Sequence, residues 1–352
     1  SSKYYSPKNG DSLVTTIDEV IQHYVEDALS EGMKDTGAES ITCIVMNPKT
    51  GDILAMASTP SYDPNNPYTP SGDEAKKFKE LGTKDKSAYL SRMWTNPAVS
   101  GLYEPGSTFK LVTAASAIES GTTTDASRYS DPGYINVDGT SLKCWSPVPH
   151  GTQNITEAVG NSCNPALARV ALDMGKYNFY KYIDIFGFTQ KTRVDLPGEA
   201  DSIVKNQSAV SNVDIATMGY GQGIAISPIQ LMTAINSLGN NGVMMQSKVV
   251  KQVVGPDGKV KKTVRDRRVR QTVSKGTADK MRSIMEYYVA EGGGTSAYLP
   301  GYRVGGKTGT ANIAENSGYS EQTIASFIAM APMDDPQISI LVMVTRPKKS
   351  IF

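Results

Sequence analysis

The sequence predicts a mixed α+β fold, in which helices cover a central antiparallel sheet that also carries a mostly helical subdomain. Two observations predict it. Apolar runs rich in β-branched residues occur near both ends of the chain, over residues 40–58 and 302–346. Between them, over roughly residues 60–240, the pattern is helical with glycine-rich breaks. Because each layer must bury an apolar face, we expect the terminal strands to share one sheet with the helical part packed on it.

Local signals support each element of the first part of the chain. Residues 18–31 space their apolar side chains at helical intervals and predict the first helix. Residues 40–46 and 52–57 flank a Pro-Lys-Thr-Gly turn and predict a β-hairpin. Residues 63–70 are rich in Pro and Asn and predict a loop.

The middle and the last third follow from the same signals. Apolar residues over 107–119, ended by Gly121, predict a helix, and a second helix is predicted over 165–174. Residues 249–272 are charged, contain a Gly-Pro-Asp-Gly turn and predict an exposed strand-turn-strand excursion. The remaining predicted strands are residues 302–305, 323–330 and 337–345.

The first chemical motif is S-x-x-K, formed by Ser107 and Lys110 at the start of a predicted helix. Residues three apart share a helix face, so Lys110 is expected beside Ser107. The free N–H groups of a helix start favour developing negative charge, and burial near other cations would make Lys110 a neutral base. The pair therefore fits a nucleophile and its base. Alone, the same pattern is as readily a helix cap and a solvated lysine.

The second motif is S-x-N, formed by Ser162 and Asn164 just before the second predicted helix. A hydroxyl and an amide two positions apart on a loop can face one pocket. Ser162 would relay a proton between Lys110, Lys307 and a leaving amine, and Asn164 would hold Lys110 and a substrate amide. Without the other motifs, an Asn-Pro turn capped by a serine explains these residues equally well.

The third motif is Lys307-Thr308-Gly309-Thr310, predicted to form a strand along a cleft. Lys307 and Thr308 would meet a substrate carboxylate, and Gly309 would let a substrate backbone approach closely. The backbone N–H groups of Thr310 and Ser107 would form an oxyanion hole.

The same segment also matches a phosphate-binding loop, since residues 301–308 read G-x-x-x-x-G-K-T. That loop requires a helix directly after the Lys-Thr pair. Residues 309–312 and 315–318 have the composition of turns instead, so nucleotide binding is not expected.

S-x-x-K, S-x-N and K-T-G occur together in penicillin-binding proteins and class A β-lactamases. Over nearly all of its length the chain resembles the transpeptidase domain of class B penicillin-binding proteins of the division and sporulation type. The further segments that carry this resemblance are Thr16-Ile17-Asp18, residues 46–56, Tyr103-Glu104-Pro105-Gly106, Asp195-Leu196-Pro197-Gly198-Glu199, Gly219-Tyr220-Gly221-Gln222-Gly223 and Ser227-Pro228-Ile229-Gln230.

The resemblance implies a penicillin-binding protein/β-lactamase-like fold, with residues 12–352 as the transpeptidase domain and 1–11 as a linker or pedestal remnant. It implies a serine D,D-transpeptidase that cross-links peptidoglycan stem peptides ending in D-Ala-D-Ala through an acyl-enzyme on Ser107, and that β-lactam antibiotics acylate. This chemistry requires no cofactor. It further implies the extracytoplasmic face of the bacterial cell membrane, an anchor outside this chain and a glycosyltransferase partner.

Composition agrees with these expectations. The formal net charge of +1 gives no indication of nucleic-acid binding, and no apolar run reaches the ~18 residues of a membrane span. We expect the chain to be an excised soluble part of a longer protein. It closes at Ile351-Phe352, where the family usually adds a further helix.

Other functions remain open on the motifs alone. A D,D-carboxypeptidase would use water as acceptor, and a β-lactamase or β-lactam sensor would share all three motifs. A class A β-lactamase also needs a glutamate in an E-x-x-L-N context, which the sequence lacks. A non-catalytic wall-binding module would need no Ser–Lys pair.

Cysteine and histidine concentrate around S-x-N. Cys144, His150 and Cys163 are spaced C-x5-H-x12-C, and thiolates with an imidazole suit a structural Zn²⁺. Asp131, Asp138 or water would complete a tetrahedron. Inert buried packing and a Cys144–Cys163 disulfide are the alternatives.

Overall fold

The structure is a computed structural model that describes residues 9–70, 72–315 and 318–349. Residues 1–8 of the predicted linker or pedestal remnant, residues 316–317 of the turn-like segment and residues 350–352 at the close of the chain lie outside the described residues. The helices are α1 (Glu19–Thr36), α2 (Gly72–Glu80), α3 (Thr83–Trp94), α4 (Pro97–Ser100), α5 (Lys110–Glu119), α6 (Ile155–Gly160), α7 (Asn164–Ile185), α8 (Asn212–Gly219), α9 (Pro228–Gly239) and α10 (Lys275–Ala290). Short 3₁₀ turns occur at Gly106–Phe109, Gln207–Ala209 and Thr295–Ala297.

The strands include five long ones and several short ones. They are β1 (Ser12–Thr15), β2 (Ser40–Met46), β3 (Ile53–Thr59), β4 (Tyr129–Asp131), β5 (Tyr134–Val137), β6 (Thr140–Lys143), β7 (Gly151–Gln153), β8 (Ile203–Val204), β9 (Ile224–Ala225), β10 (Val243–Met245), β11 (Val250–Val254), β12 (Val260–Thr263), β13 (Arg268–Gln271), β14 (Gly305–Glu315), β15 (Gly318–Ala331) and β16 (Ile338–Thr345).

The central sheet joins the two ends of the chain, as predicted. Its order is β14-β15-β16-β2-β3, and all neighbours are antiparallel. Cys43 on β2 lies opposite Val342 on β16, and this strand pairing joins the first hairpin to the last strands. The predicted α+β class and central antiparallel sheet are confirmed, whereas the division into a helical subdomain over 60–240 stays a prediction.

The sheet is covered on both faces, which explains why nearly every residue of β2 is buried. On one face α1 packs Val25 and Leu29 against Ile41 and Val45. On the other, Ile44 belongs to the larger core that the helices of the middle region build. The predicted first helix is confirmed and extends to Thr36, where Gly37 ends it in the left-handed conformation.

Two predicted boundaries differ for physical reasons. The helix predicted over 165–174 continues to Ile185. Its predicted end coincides with a kink in the helix, because Gly175 has the non-helical angles φ 72° and ψ 158°. The strand predicted over 302–305 is wrong, since β14 begins only at Gly305. Residues 309–312, whose composition suggests a turn, lie inside β14 because the ladder with β15 decides their conformation.

The predicted excursion over 249–272 consists of three strands. β11 and β12 form a sheet with β1, whereas β13 pairs with β10. Among the described residues, no helix has the length and apolar character required to cross a membrane.

Candidate active site

Ser107 lies in the 3₁₀ turn Gly106–Phe109, which leads directly into α5. In a 3₁₀ turn the side chains of residues i and i+3 eclipse one another, so Lys110 follows Ser107 on the same face. Gly106 has φ 54°, and a Cβ there would lie 2.6 Å from the carbonyl oxygen of Thr310. Glycine at this position therefore allows the turn with Ser107 to contact β14.

Lys110 joins the first two motifs. Its Nζ donates to the carbonyl oxygen of Ser162 at 2.6 Å, lies 3.0 Å from the Ser162 Oγ and donates to the Asn164 Oδ1 at 2.7 Å. Ser162 has φ 52°, a left-handed conformation that is uncommon outside glycine and points to a constrained loop. The structure thus brings together S-x-x-K and S-x-N around one amine.

The environment of Lys110 favours its neutral form. The residue is fully buried. Burial lowers its pKa to about 7, although negative charge on Cys163 and Cys144 would raise it. A lysine with this pKa holds a substantial neutral fraction near pH 7, as a general base requires.

Lys307, on β14, is also fully buried. Its Nζ donates to the carbonyl oxygen of Thr308 at 3.1 Å and lies 4.1 Å from the ring centroid of Tyr288. Burial, and then the charge of Lys110, hold the pKa of Lys307 well below its usual value. A neutral Lys110 removes the second cause, while burial continues to hold the pKa of Lys307 below its usual value.

Gly309 has a packing role in addition to its predicted contact with a substrate, which stays a prediction. A Cβ at this position would lie 2.6 Å from the Ser326 Oγ and 2.8 Å from the carbonyl oxygen of Pro105. The glycine therefore allows β14 to pack against the turn that precedes Ser107, whatever it also does for a substrate. Thr310 follows it at the exposed rim.

Tyr288 on α10 is a residue that the sequence reasoning missed. Its ring is 1% exposed, and its hydroxyl shares a hydrogen bond with the Thr308 Oγ1. A Cβ at Gly294 would lie 2.5 Å from the ring, and one at Gly293 would lie 3.2 Å from the hydroxyl. The Gly-Gly-Gly run at 292–294 is the sequence feature that could have indicated this packing, because glycines let a bulky group lie directly on the backbone.

The three residues predicted as metal ligands meet in space, together with Asp131. One ligand atom from each of Asp131, Cys144, His150 and Cys163 lies within 4.8 Å of the other three. Asp138, the other predicted acid, is outside this group and accepts a hydrogen bond from Asn212 instead.

Hydrogen bonds connect this cluster around Asp131, which is fully buried. Its Oδ2 is 2.7 Å from the His150 Nδ1 and accepts from the Cys163 Sγ at 3.2 Å. Burial favours the neutral acid, but the hydrogen bonds from His150 and Cys163 lower its pKa to about 2. A hydrogen bond from Cys163 lowers the pKa of Cys144 to about 6. The cysteines are free thiols in this structure.

Comparison with known families and relatives agrees with this geometry. The family described as "Penicillin binding protein transpeptidase domain" matches residues 41–351. Stage V sporulation protein D of Bacillus subtilis is 36% identical over 99% of this chain and 52% of its own length. Penicillin-binding protein PbpB of Mycolicibacterium smegmatis is 30% identical over 97% of this chain and 51% of its own length. The chain thus spans about half the length of these curated relatives.

Solved structures show the same fold. Penicillin-binding protein 3 from Mycobacterium tuberculosis, complexed with aztreonam, superposes with a TM-score of 0.84 at 28% identity, over 97% of this chain and 74% of its own. The D,D-transpeptidase domain of a peptidoglycan glycosyltransferase from Eggerthella lenta gives 0.83 at 26% identity, over 97% and 80%. With S-x-x-K and S-x-N joined at Lys110, K-T-G on the strand beside the turn of Ser107, and the family match over most of its length, this chain belongs to the penicillin-binding protein transpeptidase domain family.

Proposed function

We propose that this domain is a serine D,D-transpeptidase that cross-links peptidoglycan stem peptides ending in D-Ala-D-Ala, and that β-lactam antibiotics acylate it at Ser107. One observation carries the proposal: a fully buried Lys110 whose Nζ is held by Ser162 and Asn164. A solvated lysine in a structural role would need neither the burial nor these partners.

In the acylation step, neutral Lys110 accepts the proton of Ser107 Oγ as that oxygen attacks the carbonyl carbon of the penultimate D-Ala. The N–H groups of Ser107 and Thr310 stabilise the oxyanion. The peptide C–N bond breaks as Ser162 passes its proton to the departing D-Ala amine and takes the proton held by Lys110, which becomes neutral again. An amine of a second stem peptide then attacks the ester carbonyl and loses a proton to neutral Lys110. The ester C–O bond breaks as Ser107 Oγ takes that proton back.

Lys307 and Thr308 recognise the substrate's terminal carboxylate in this proposal. A buried ammonium needs an anion or an aromatic face to hold its charge. Tyr288 supplies the face at 4.1 Å in the free enzyme, and the substrate supplies the anion. Gly309 and Thr310 line the strand along which the substrate lies, while Asn164 holds its amide.

The fate of the acyl-enzyme separates this function from its alternatives. We expect benzylpenicillin to add one adduct per chain, detected by intact mass, with release over hours because no E-x-x-L-N glutamate is present to activate water. Turnover of nitrocefin at tens per second or more would indicate a β-lactamase instead. With a D-Ala-D-Ala donor and a D-amino acid acceptor, transfer to the amine is expected, whereas hydrolysis alone would indicate a carboxypeptidase.

The position in the cell is part of the same proposal. The substrate is outside the cytoplasm, so we place the domain at the extracytoplasmic face of the bacterial cell membrane. A membrane glycosyltransferase that supplies the glycan strands would be its partner. In this proposal the membrane anchor lies outside this chain, which spans about half the length of its curated relatives.

We further propose that Asp131, Cys144, His150 and Cys163 hold one structural Zn²⁺. Thiolate, imidazole and carboxylate are its usual ligands, at ~2.0–2.3 Å, which places neighbouring ligand atoms about 3.3–3.8 Å apart. The separation of 3.6 Å between the Cys144 Sγ and the His150 Nδ1 lies within this range, and that of 3.2 Å between the Cys163 Sγ and the Asp131 Oδ2 lies just below it. The hydrogen bond between His150 and Asp131, at 2.7 Å, would lengthen when both bind metal.

The ion would stabilise the loop that carries Ser162 and Asn164, because Cys163 lies between them. Protein purified without chelator or metal affinity should hold about one zinc per chain by elemental analysis. Removing it should lower the melting temperature and slow acylation. Cys163→Ser should behave like the stripped protein, and Cys43→Ala, outside the cluster, should retain the metal.

Far less than one zinc per chain would contradict the metal proposal. Titration of free thiols would then choose between the remaining alternatives. Three reactive thiols in unfolded protein would indicate inert packing, and one would indicate a disulfide between Cys144 and Cys163.

A further inference from the structure

A cavity lies among residues that belong to none of the three motifs. It has a volume of about 200 Å³ and opens between the end of α7, the loop at residues 190–193, α9, β10 and β13. Phe186 and Met244 are buried and form part of its floor. The space is far above the ~10–15 Å³ that one water needs, so it accommodates a chemical group of several atoms.

Positive charge surrounds this space. Four basic residues line it, Lys191, Arg193, Arg267 and Arg270, and no Asp or Glu is among the lining residues. We call it the basic cavity. The whole chain has a formal net charge of only +1, so this is a local concentration of charge rather than a general property of the surface.

Most of this charge is not neutralised within the described residues. Arg270 donates to the carbonyl oxygen of Asp184 at 3.0 Å and lies 3.4 Å from the Gln190 Oε1, so neutral acceptors orient it. The guanidinium groups of Arg193 and Arg267 have no hydrogen-bond or ion-pair partner in the described part of the chain. Lys191 alone has an acidic partner, Asp201 at 3.2 Å.

The acids nearby are already engaged elsewhere. The Glu199 carboxylate accepts from the backbone N–H groups of Thr192 and Arg193. The Asp184 carboxylate accepts from Thr189. Both carboxylates keep their negative charge, but among the described residues neither forms an ion pair with a cationic side chain of the basic cavity.

The wall that carries Arg193 is fixed rather than loose. Gln246 donates to the carbonyl oxygens of Thr192 at 2.8 Å and Arg193 at 2.7 Å. The buried Gln230 donates to the carbonyl oxygen of Gln190 at 2.9 Å. Arg193 has φ 58°, a conformation that costs free energy for a non-glycine residue and persists only where the surroundings impose it.

We propose that the basic cavity binds a phosphate group. Guanidinium groups bind phosphate oxygens through paired, charge-assisted hydrogen bonds, and two unpaired guanidiniums beside an oriented third match the charge of a phosphate dianion. The phosphate belongs to a soluble molecule or to a lipid headgroup, since a monoester dianion and a phosphodiester monoanion both present anionic non-bridging oxygens to guanidinium groups. The proposal is independent of the chemistry at Ser107.

Inorganic pyrophosphate is the probe for the soluble source, titrated by calorimetry at fixed ionic strength. We expect saturable binding of one equivalent, and a loss of affinity of about tenfold or more in the Arg193→Gln/Arg267→Gln double variant. The matched control is Lys262→Gln/Arg265→Gln, which removes two exposed cations outside the basic cavity and should bind like the wild type. Ser107→Ala should bind unchanged.

Phosphatidylglycerol vesicles test the lipid source by co-sedimentation. Retention that the cavity variant loses and the control variant keeps would assign the site to a headgroup, while pyrophosphate binding without vesicle binding would assign it to a soluble phosphate. Absence of saturable binding to both probes would overturn the proposal. So would equal losses in the two double variants, because binding would then depend on diffuse surface charge. Circular dichroism of both variants shows whether each is folded.

Discussion

At the scale of single residues, Lys110 is the group on which the proposed chemistry depends. Burial lowers its pKa to about 7, and only the neutral amine can accept a proton. The rate of penicillin acylation should therefore rise with pH through about 7. Lys110→Arg should be nearly inactive, because a guanidinium does not lose its proton. Lys307→Arg, which keeps a cation, should retain more activity, and equal losses in the two variants would contradict the separate roles.

The same shift has a consequence for stability. The pKa of Lys110 is lower in the folded state than the usual 10.5, so the unfolded chain binds more protons between about pH 7 and 10.5. This group therefore makes the fold more stable as pH rises through that window. Lys110→Met removes the titrating group, so the melting temperature of the wild type relative to that of this variant should rise as pH rises.

Tyr288 is the residue that we expect to keep Lys307 charged. An aromatic face 4.1 Å from a buried ammonium stabilises the cation by about 2 kcal/mol. Tyr288→Leu should slow acylation by roughly tenfold or more and move the fall in rate at high pH to lower pH. Tyr288→Phe keeps the ring and loses only the hydrogen bond to Thr308. A Phe variant as impaired as the Leu variant, with an unshifted pH profile in both, would show that the ring does not act on Lys307.

At the scale of elements, the contact between β14 and the 3₁₀ turn that carries Ser107 determines the geometry of the cleft. Gly309 makes this contact possible, because a Cβ at this position would clash with the carbonyl oxygen of Pro105 and with the Ser326 Oγ. Gly309→Ala should destabilise the fold by about 1–3 kcal/mol and slow acylation beyond what the stability loss explains. Gly276→Ala, at an exposed position of α10 where a Cβ would lie 4.0 Å from the Ser274 Oγ, is the control. A Gly309 variant with normal acylation would contradict this role of the contact.

The sequence allowed prediction of these elements where local patterns are strong. The apolar periodicity of α1 and the β-branched strand β2 are examples. The chemical motifs singled out Ser107, Lys110 and Lys307, whose roles stay predictions. The start of β14 was not predictable, because glycine has a low strand preference and only the ladder with β15 decides the conformation of Gly305 and Gly306. The contact of Tyr288 with Lys307, and the presence of Asp131 rather than Asp138 in the cluster, depend on residues distant in sequence, for which periodicity gives no signal.

At the scale of the whole molecule, one sheet separates two apolar layers, and the active-site motifs lie together on the side of the larger core. The order of strands makes this possible, since β14 lies at the edge of the sheet, beside the 3₁₀ turn. Lys110 and Lys307 are fully buried, whereas Ser107, Ser162 and Asn164 remain partly exposed to a substrate. This arrangement excludes water from the two lysine amines and leaves the proposed nucleophile, Ser107, accessible, as the proposed acyl transfer through a lysine base requires.

The most direct test of the central claim is the site of acylation, measured by peptide mapping after incubation with benzylpenicillin. The account predicts a single adduct, located on Ser107, and none in Ser107→Ala, whose melting temperature should stay within a few degrees of the wild type because the residue is only half-buried. An undiminished adduct in Ser107→Ala, or an adduct mapped to another residue of the wild type, would contradict it.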